Sequence, residues 1–361
     1  MDLLSRLTRI ERNELTTVLW AATLFFFLLC SYYILRPMRE AMGIAGGTRA
    51  LPNLYLVTLL VTLLATPVFG WMTRRYDKRK FLPYTYRFFG VNLLLFLVAW
   101  KLAPESALVW VGRAFYVWIS VFNMFLISLF WAFMADGFGL AQSKRLFGAI
   151  AVGGSLGAAF GAGITRFFIS IVGQTWLVLV SVVLIEVAVQ VVGRLRARFD
   201  AMGPPPDAPP ELPKERPSVW EGFQLVMKSR YLLGIALFLF FYSSSSTIVY
   251  FMQAEVVSAA EAANDARVER FADIDLWVNI SAVVMQLFVT SQIMTRLGVS
   301  VALVILPLLT ATGFAILGAV PSMAVLILFQ VARRSVNYAV MRPAREMLYV
   351  VLSREEKYKA K

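Results

Sequence analysis

Two short stretches carry residues that could do chemistry, and they repeat one pattern. They are Arg36-Pro37-Met38-Arg39-Glu40 and Arg342-Pro343-Ala344-Arg345-Glu346. On a helix the two arginines of each stretch are three residues apart and share a face. The proline between them frees a backbone carbonyl one turn earlier. Two inward guanidinium forks suit a carboxylate or a phosphate, which they can hold bidentately. Two other readings stand beside this one: an Arg–Glu network that holds a gate shut, and arginines snorkelling at helix ends. Further charges on apolar stretches are Arg113, Asp136, Arg333 and Arg334, with Arg87 and Glu186 as weaker cases that could simply pair with a neighbour. Other chemistries are excluded by composition. There is no histidine and only one cysteine, Cys30. His-based triads, His or Cys zinc sites, structural disulfides and CxxC redox chemistry therefore drop out. No GxxxxGK[ST] loop is present, which argues against an ATP-driven pump. No nucleophile–base pair stands out, so an enzyme is not expected, and no cofactor or metal is implied.

The elements that must position these charges are apolar. Of 361 residues, 59% are hydrophobic and only 16% charged, and mean hydropathy is +0.69. A water-soluble core of this length cannot hide so much apolar surface, so the solvent is partly lipid. Ten stretches can cross about 30 Å of hydrocarbon: 15–36, 51–73, 81–101, 107–136, 146–170, 174–195, 231–254, 273–295, 299–319 and 322–350. The first is too long for a cleaved signal peptide and lacks a small-residue cleavage site. The net charge of +13 comes from 35 Lys and Arg against 22 Asp and Glu. In a membrane protein this reflects cytoplasmic loops facing anionic lipid rather than a nucleic-acid polymer as partner. With the N-terminus inside, most Lys and Arg fall on inside loops, densest at Arg74, Arg75, Lys78, Arg79 and Lys80 and at Arg194, Arg196 and Arg198. The expected location is the bacterial inner membrane, multi-pass, with a cytoplasmic N-terminus.

Residues 197–230 hold seven of the fifteen prolines, the mark of an extended, solvated linker. Its last part, Ser218 to Val226, is amphipathic and suits the membrane surface. Six helices precede the linker (1–196) and four follow it (231–361). Two half-bundles joined by a cytoplasmic linker is the major-facilitator layout. The expected fold is thus an all-α, polytopic, major-facilitator-like bundle of ten transmembrane helices, two short of twelve. Either the chain is a fragment or its second half is short. In that layout helices one, four, seven and ten are equivalent and line the cavity, so the repeated motif falls on equivalent helices. Trp131 to Asp136 on helix four also aligns without gaps with Tyr338 to Pro343 on helix ten. Gly153, Gly157 and Gly161 make a small-xxx-small ridge for close helix packing. Ser243 to Ser246 with Thr247 form a polar patch on helix seven, able to bond a solute or to cap their own helix.

At these residues the chain resembles the nucleotide (ATP/ADP) translocases of plastids and intracellular bacteria and their free-living bacterial relatives. Tyr33 to Glu40 resembles that family's first-helix motif. Leu129 to Asp136 resembles its helix-four stretch, and Lys144-Arg145-Leu146-Phe147 the segment after it. Asn337 to Met347, followed by Glu355 to Lys361, resembles its helix-ten run and charged loop. The resemblance implies that Arg39, Asp136 and Arg345 stand where the translocases keep a Lys, an acid and a Lys that matter for exchange. One departure bears on the solute. The translocases carry a Glu on helix seven, whereas Ser244 to Gln253 has no acid and Tyr250 stands near that place. This favours a phosphorylated or otherwise anionic solute over strict ATP/ADP exchange.

The expectation is a secondary transporter of a small anionic solute, working by alternating access. Arg36, Arg39, Arg342, Arg345 and Tyr250 would contact the solute. Glu40, Asp136 and Glu346 would be counter-charges when the site is empty, and one of them would carry a coupling proton. The partners are that solute and the bilayer, and a monomer is favoured. The alternatives are a non-transporting sensor or assembly module derived from a carrier, and a lipid translocator.

Overall fold

The computed structural model describes residues 11–75, 78–203, 224 and 226–348, and every regular element among them is helical. The helices are α1 (Arg12–Ala45), α2 (Leu51–Arg75), α3 (Lys78–Leu102) and α4 (Glu105–Gly137). The run Leu140–Met202 is broken at Gly173, whose φ of 73° an L side chain rarely adopts. It is therefore two helices, α5 (140–172) and α6 (174–202). Then come α7 (Arg230–Ala260), α8 (Asn264–Phe288) and α9 (Gly298–Ala319). The last, α10, starts as Met323–Val336, passes a π-helical turn at Asn337–Met341 and ends as Arg342–Leu348.

Eight of the helical runs are long and apolar enough to cross a membrane, the longest being the broken α5–α6 pair. The last run is not among them, because Arg333, Arg334, Arg342 and Arg345 interrupt its apolar character. The proline-rich stretch at 204–223 lies outside the described residues, as does most of the amphipathic segment that follows it.

The chain forms two compact units. The first is Met1–Pro209 with Val257–Asn279, and the second is Pro210–Val256 with Ile280–Lys361. The neighbouring ends of α7 and α8 belong with the first unit, which linear order alone does not suggest.

In the first unit α1 is central, packed on α5, α6 and α4. The glycine ridge explains the closest contact. A Cβ on Gly153, Gly157 or Gly161 would collide with the carbonyls of Ala22, Phe26 and Cys30, which recur every four residues along α1. The two backbones thus approach as only small residues permit. Polar contacts add register: Ser31 and Ser181 hydroxyls lie 2.7 Å apart, and Thr165 donates to the Ile34 carbonyl at 3.1 Å. Stacked Phe25 and Phe130, 4.2 Å apart, fill the α1–α4 side. By contrast α2 buries only 6% of its apolar window and exposes Leu56, Leu59, Leu60, Leu63 and Leu64. Such a surface is stable only against lipid or another apolar partner.

In the second unit α9 and α10 pack through Ala302, Leu306, Val340 and Met341, and Phe329 lies against Gly313. The π turn has a local cause. Pro343 has no N–H to give the carbonyl of Ala339, and its ring crowds that carbonyl. Thr290 takes it instead, donating to the Ala339 oxygen at 2.9 Å.

Candidate functional site

The first motif lies inside α1, not at its end. The helix continues through Pro37 to Ala45, so the arginines are held by helix on both sides. Arg36 Nη1 lies 2.6 Å from Asp275 Oδ1, and its Nε lies 4.0 Å from Glu40 Oε1. Arg39 Nη1 lies 2.6 Å from the same oxygen, Glu40 Oε1. Arg39 Nε donates to Ser120 Oγ at 3.0 Å and to the Tyr116 carbonyl at 3.3 Å. Its guanidinium also lies 4.0 Å from the Tyr116 ring centroid, a cation–π distance. Glu40 and Asp275 are 5% and 3% exposed. Two cations and two carboxylates are thus gathered on α1 and α8, with neutral Tyr116 and Ser120 of α4 beside them, and both carboxylates are nearly dry. Removing one member of such a pair leaves a desolvated charge, at a cost of about 3–5 kcal/mol.

The same end of α8 carries a second set of ion pairs. Arg166 on α5 reaches Glu269 at 2.6 Å and Asp273 at 2.5 Å. Arg270 reaches Glu261 at 2.9 Å, and Gln174 donates to Asp265 at 2.9 Å. The segment Val257–Asn279 is therefore fastened to α1 and α5 by charge.

Of the expected site residues, the structure brings Arg36, Arg39 and Glu40 together. Asp136 is not part of that cluster. Arg39 meets α4 at Tyr116 and Ser120, and Asp136 is about 24 Å further along the helix at 1.5 Å per residue. It therefore cannot serve as the counter-charge of Arg39. Arg113 stacks on Trp110 of its own helix at 4.6 Å. Arg87 and Glu186 pair with each other at 2.8 Å across α3 and α6. Asp275, Tyr116, Ser120 and Arg166 were not legible as site residues. The clue to Asp275 is an acid followed by an apolar run. The expected eighth span, which starts at 273, puts it just inside the helix mouth, and nothing local marks it as buried.

In the second unit Arg342 is exposed and lies 4.5 Å from the ring of Tyr338, one turn back. Arg345 is half-buried, and the side chain of Glu346 lies outside the described residues. Tyr250 is half-buried on α7 beside Phe251. The serine row divides its work. Ser245 and Thr247 donate to their own helix, at Tyr242 and Ser243, both at 3.0 Å. Ser246 instead faces α10 and accepts from Arg333 Nη2 at 2.8 Å. About two turns on, Gln253 accepts from Gln330 at 2.5 Å. A polar seam of Ser246, Gln253, Gln330, Arg333 and Asn337 thus joins α7 and α10. Its α10 members are 3%, 3% and 6% exposed in that order. Arg333 Nε and Nη1 have no hydrogen-bond partner, and among the described residues no carboxylate lies within ion-pair reach of it.

No protein-family model matches the chain, the nucleotide translocases included, and no curated protein sequence matches it. Among solved structures, the chain is similar to a bacterial homologue of the human lysosomal transporter Spinster, seen in an inward-facing and unoccupied conformation. The TM-score is 0.55 at 13% identity, over 97% of this chain and 78% of that one. The fold is of the major-facilitator type. In that layout α1, α4, α7 and α10 are equivalent members of four three-helix units. Apart from Asp275, every member of the motif cluster and of the polar seam stands on one of those four helices.

Proposed function

We propose that the chain is a secondary transporter of the bacterial inner membrane that moves a small anionic solute by alternating access. The observation that carries this reading is the buried cluster of Arg36, Arg39, Glu40 and Asp275 in a fold of the major-facilitator type. Charges in apolar helices are costly and are kept where they act. Both arginines already hold carboxylates, so an anionic solute can be taken by exchange of partners rather than by desolvating a bare cation. Arg36 and Arg39 release Glu40 or Asp275 and take the solute, and the released Glu40 is placed to pick up a proton. On α10, Arg342 and Arg345 repeat the motif and, with Tyr250 on α7, are the second unit's own groups for contact with an anion. Glu346 and the more distant Asp136 serve as coupling acids. The ion pairs of Arg166 and Arg36 with the α8 end act as the gate that must open in each cycle.

A phosphorylated solute, nucleotides among them, is the finer form of the proposal. Its support is the motif resemblance on α1, α4 and α10 and the fit of guanidinium forks to phosphate. The test is uptake of labelled phosphate esters, nucleotides and dicarboxylates by cells making the wild type, Arg39→Ala or Arg345→Ala. Uptake of one anion is expected in the wild type, with both variants at background despite normal membrane levels. Near-normal uptake by both variants overturns the residue assignment, and no uptake of any anion by the wild type overturns the transporter reading.

A further inference from the structure

Arg36 and Arg39 of the first motif hold carboxylates, but the most deeply buried cation described in the second unit, Arg333, has no charged partner among the described residues. Arg333 is 3% exposed, and its one hydrogen bond goes to a neutral hydroxyl, Ser246 Oγ at 2.8 Å. Its Nε and Nη1 are unpartnered, as is Oδ1 of Asn337 one turn further along α10. A serine can satisfy one N–H but cannot neutralise the charge. Placing an unneutralised guanidinium inside an apolar helix bundle is among the most expensive arrangements available to a protein. A methionine or glutamine would fill the space without a buried charge. The geometry points to something that arrives with the opposite charge.

We propose that Arg333 is an oxyanion-binding residue of the second unit, with Ser246 as its supporting group. The ligand is a small carboxylate or phosphate monoester. One oxygen of the ligand accepts from the open Nη1 of Arg333, on the edge it shares with Nη2. The Ser246 hydroxyl, whose oxygen already accepts from Nη2, has its own proton to donate to the same anion. Gln330, one turn before Arg333, is tied to Gln253 at 2.5 Å, which holds this stretch of α10 against α7 and fixes the guanidinium in place. The Ala339 carbonyl, held by Thr290 at 2.9 Å, does the same on the other side. The site is thus pre-organised, which lowers the cost of binding. Binding here does not require transport, so this inference stands apart from the transporter reading.

The test uses the purified full chain in phosphatidylcholine nanodiscs, with its thermal midpoint measured against inorganic phosphate, glucose 6-phosphate, succinate and uncharged glucose. A ligand that binds the native state raises the midpoint. The expected result is a rise with at least one of the three anions, none with glucose, and loss of the rise in Arg333→Met. Arg333→Lys keeps the charge but loses the fork, and binds roughly tenfold more weakly. Without ligand, Arg333→Met melts no lower than the wild type, because it removes a buried charge that nothing balances. Ser246→Ala, a milder change, weakens the rise without abolishing it. Nanodiscs containing phosphatidylglycerol separate the two sources of oxyanion. A rise there that Arg333→Met abolishes, with none from the soluble anions, assigns the site to a lipid headgroup and upholds its chemistry. A rise that persists in Arg333→Met overturns the proposal. So does a wild type that no anion and no anionic lipid affects, even if the protein proves to transport a solute.

Discussion

Arg36 and Asp275 form a salt bridge at 2.6 Å although 239 positions separate them in the chain. Asp275→Asn leaves Arg36 with less charge compensation in a nearly dry place, so a loss of about 3–5 kcal/mol is expected in a reversible denaturation series. The double variant Arg36→Met, Asp275→Leu removes both charges, and its midpoint returns most of the way to the wild type. If the double variant is no better than Asp275→Asn, the pair is not the source of the loss. The arginines of the motif were legible because a repeated RPxRE pattern within apolar sequence is rare and costly. Asp275 was not, because nothing local says that an acid near a helix start is buried. Its burial follows from α1 and α5 covering the first turns of α8, which is a matter of tertiary packing. The same holds for Arg333. Its sequence marks a charge on an apolar helix, but only the fold shows that Ser246 faces it and that no acid among the described residues does.

Helices obey more local rules, and most of them were readable. The ten expected spans correspond to α1 to α10, and the glycine ridge on α5 meets α1 as its spacing implies. The misplacements have physical reasons. The first helix runs on to Ala45 because Pro37 removes one hydrogen bond without ending a well-packed helix. The eighth begins at Asn264 because Arg166 and the motif cluster neutralise charges that hydropathy counts as loop. Two substitutions test the packing. Gly157→Leu drives a side chain into the Phe26 carbonyl and forces α1 and α5 apart, so a purified sample should lose several kcal/mol or fail to fold. Gly193→Ala, with nothing within 4 Å of the added carbon, should instead raise stability by up to about 1 kcal/mol, read as a higher thermal midpoint. Thr290→Val should cost about 1 kcal/mol, because the carbonyl that Pro343 leaves unfilled loses its donor. A Thr290→Val midpoint equal to the wild type would show that this carbonyl finds another partner.

For the molecule as a whole, composition indicated lipid as solvent, and the exposed leucines of α2 fit that reading. The pairing of Val257–Asn279 with the first unit could not be read from linear order, since the segment lies beyond the proline-rich linker. It places the α7–α8 end under the control of Arg36 and Arg166. Charge reversal at that end, Arg166→Glu, should unfasten it. The expected sign is faster labelling of a cysteine introduced at Ala272, which is fully buried in the structure, in a Cys30→Ser background. Unchanged labelling would show that the ion pairs do not hold the segment.

The central claim is that these buried arginines serve the movement of a small anion. Uptake into liposomes containing the purified protein tests it most directly, with the wild type beside Arg39→Ala and protein-free vesicles. The account predicts saturable, protein-dependent uptake of one small phosphate ester, nucleotide or carboxylate, and a fall to the protein-free rate in Arg39→Ala. Uptake at the protein-free rate for every anion, or equal rates for wild type and variant, would contradict it.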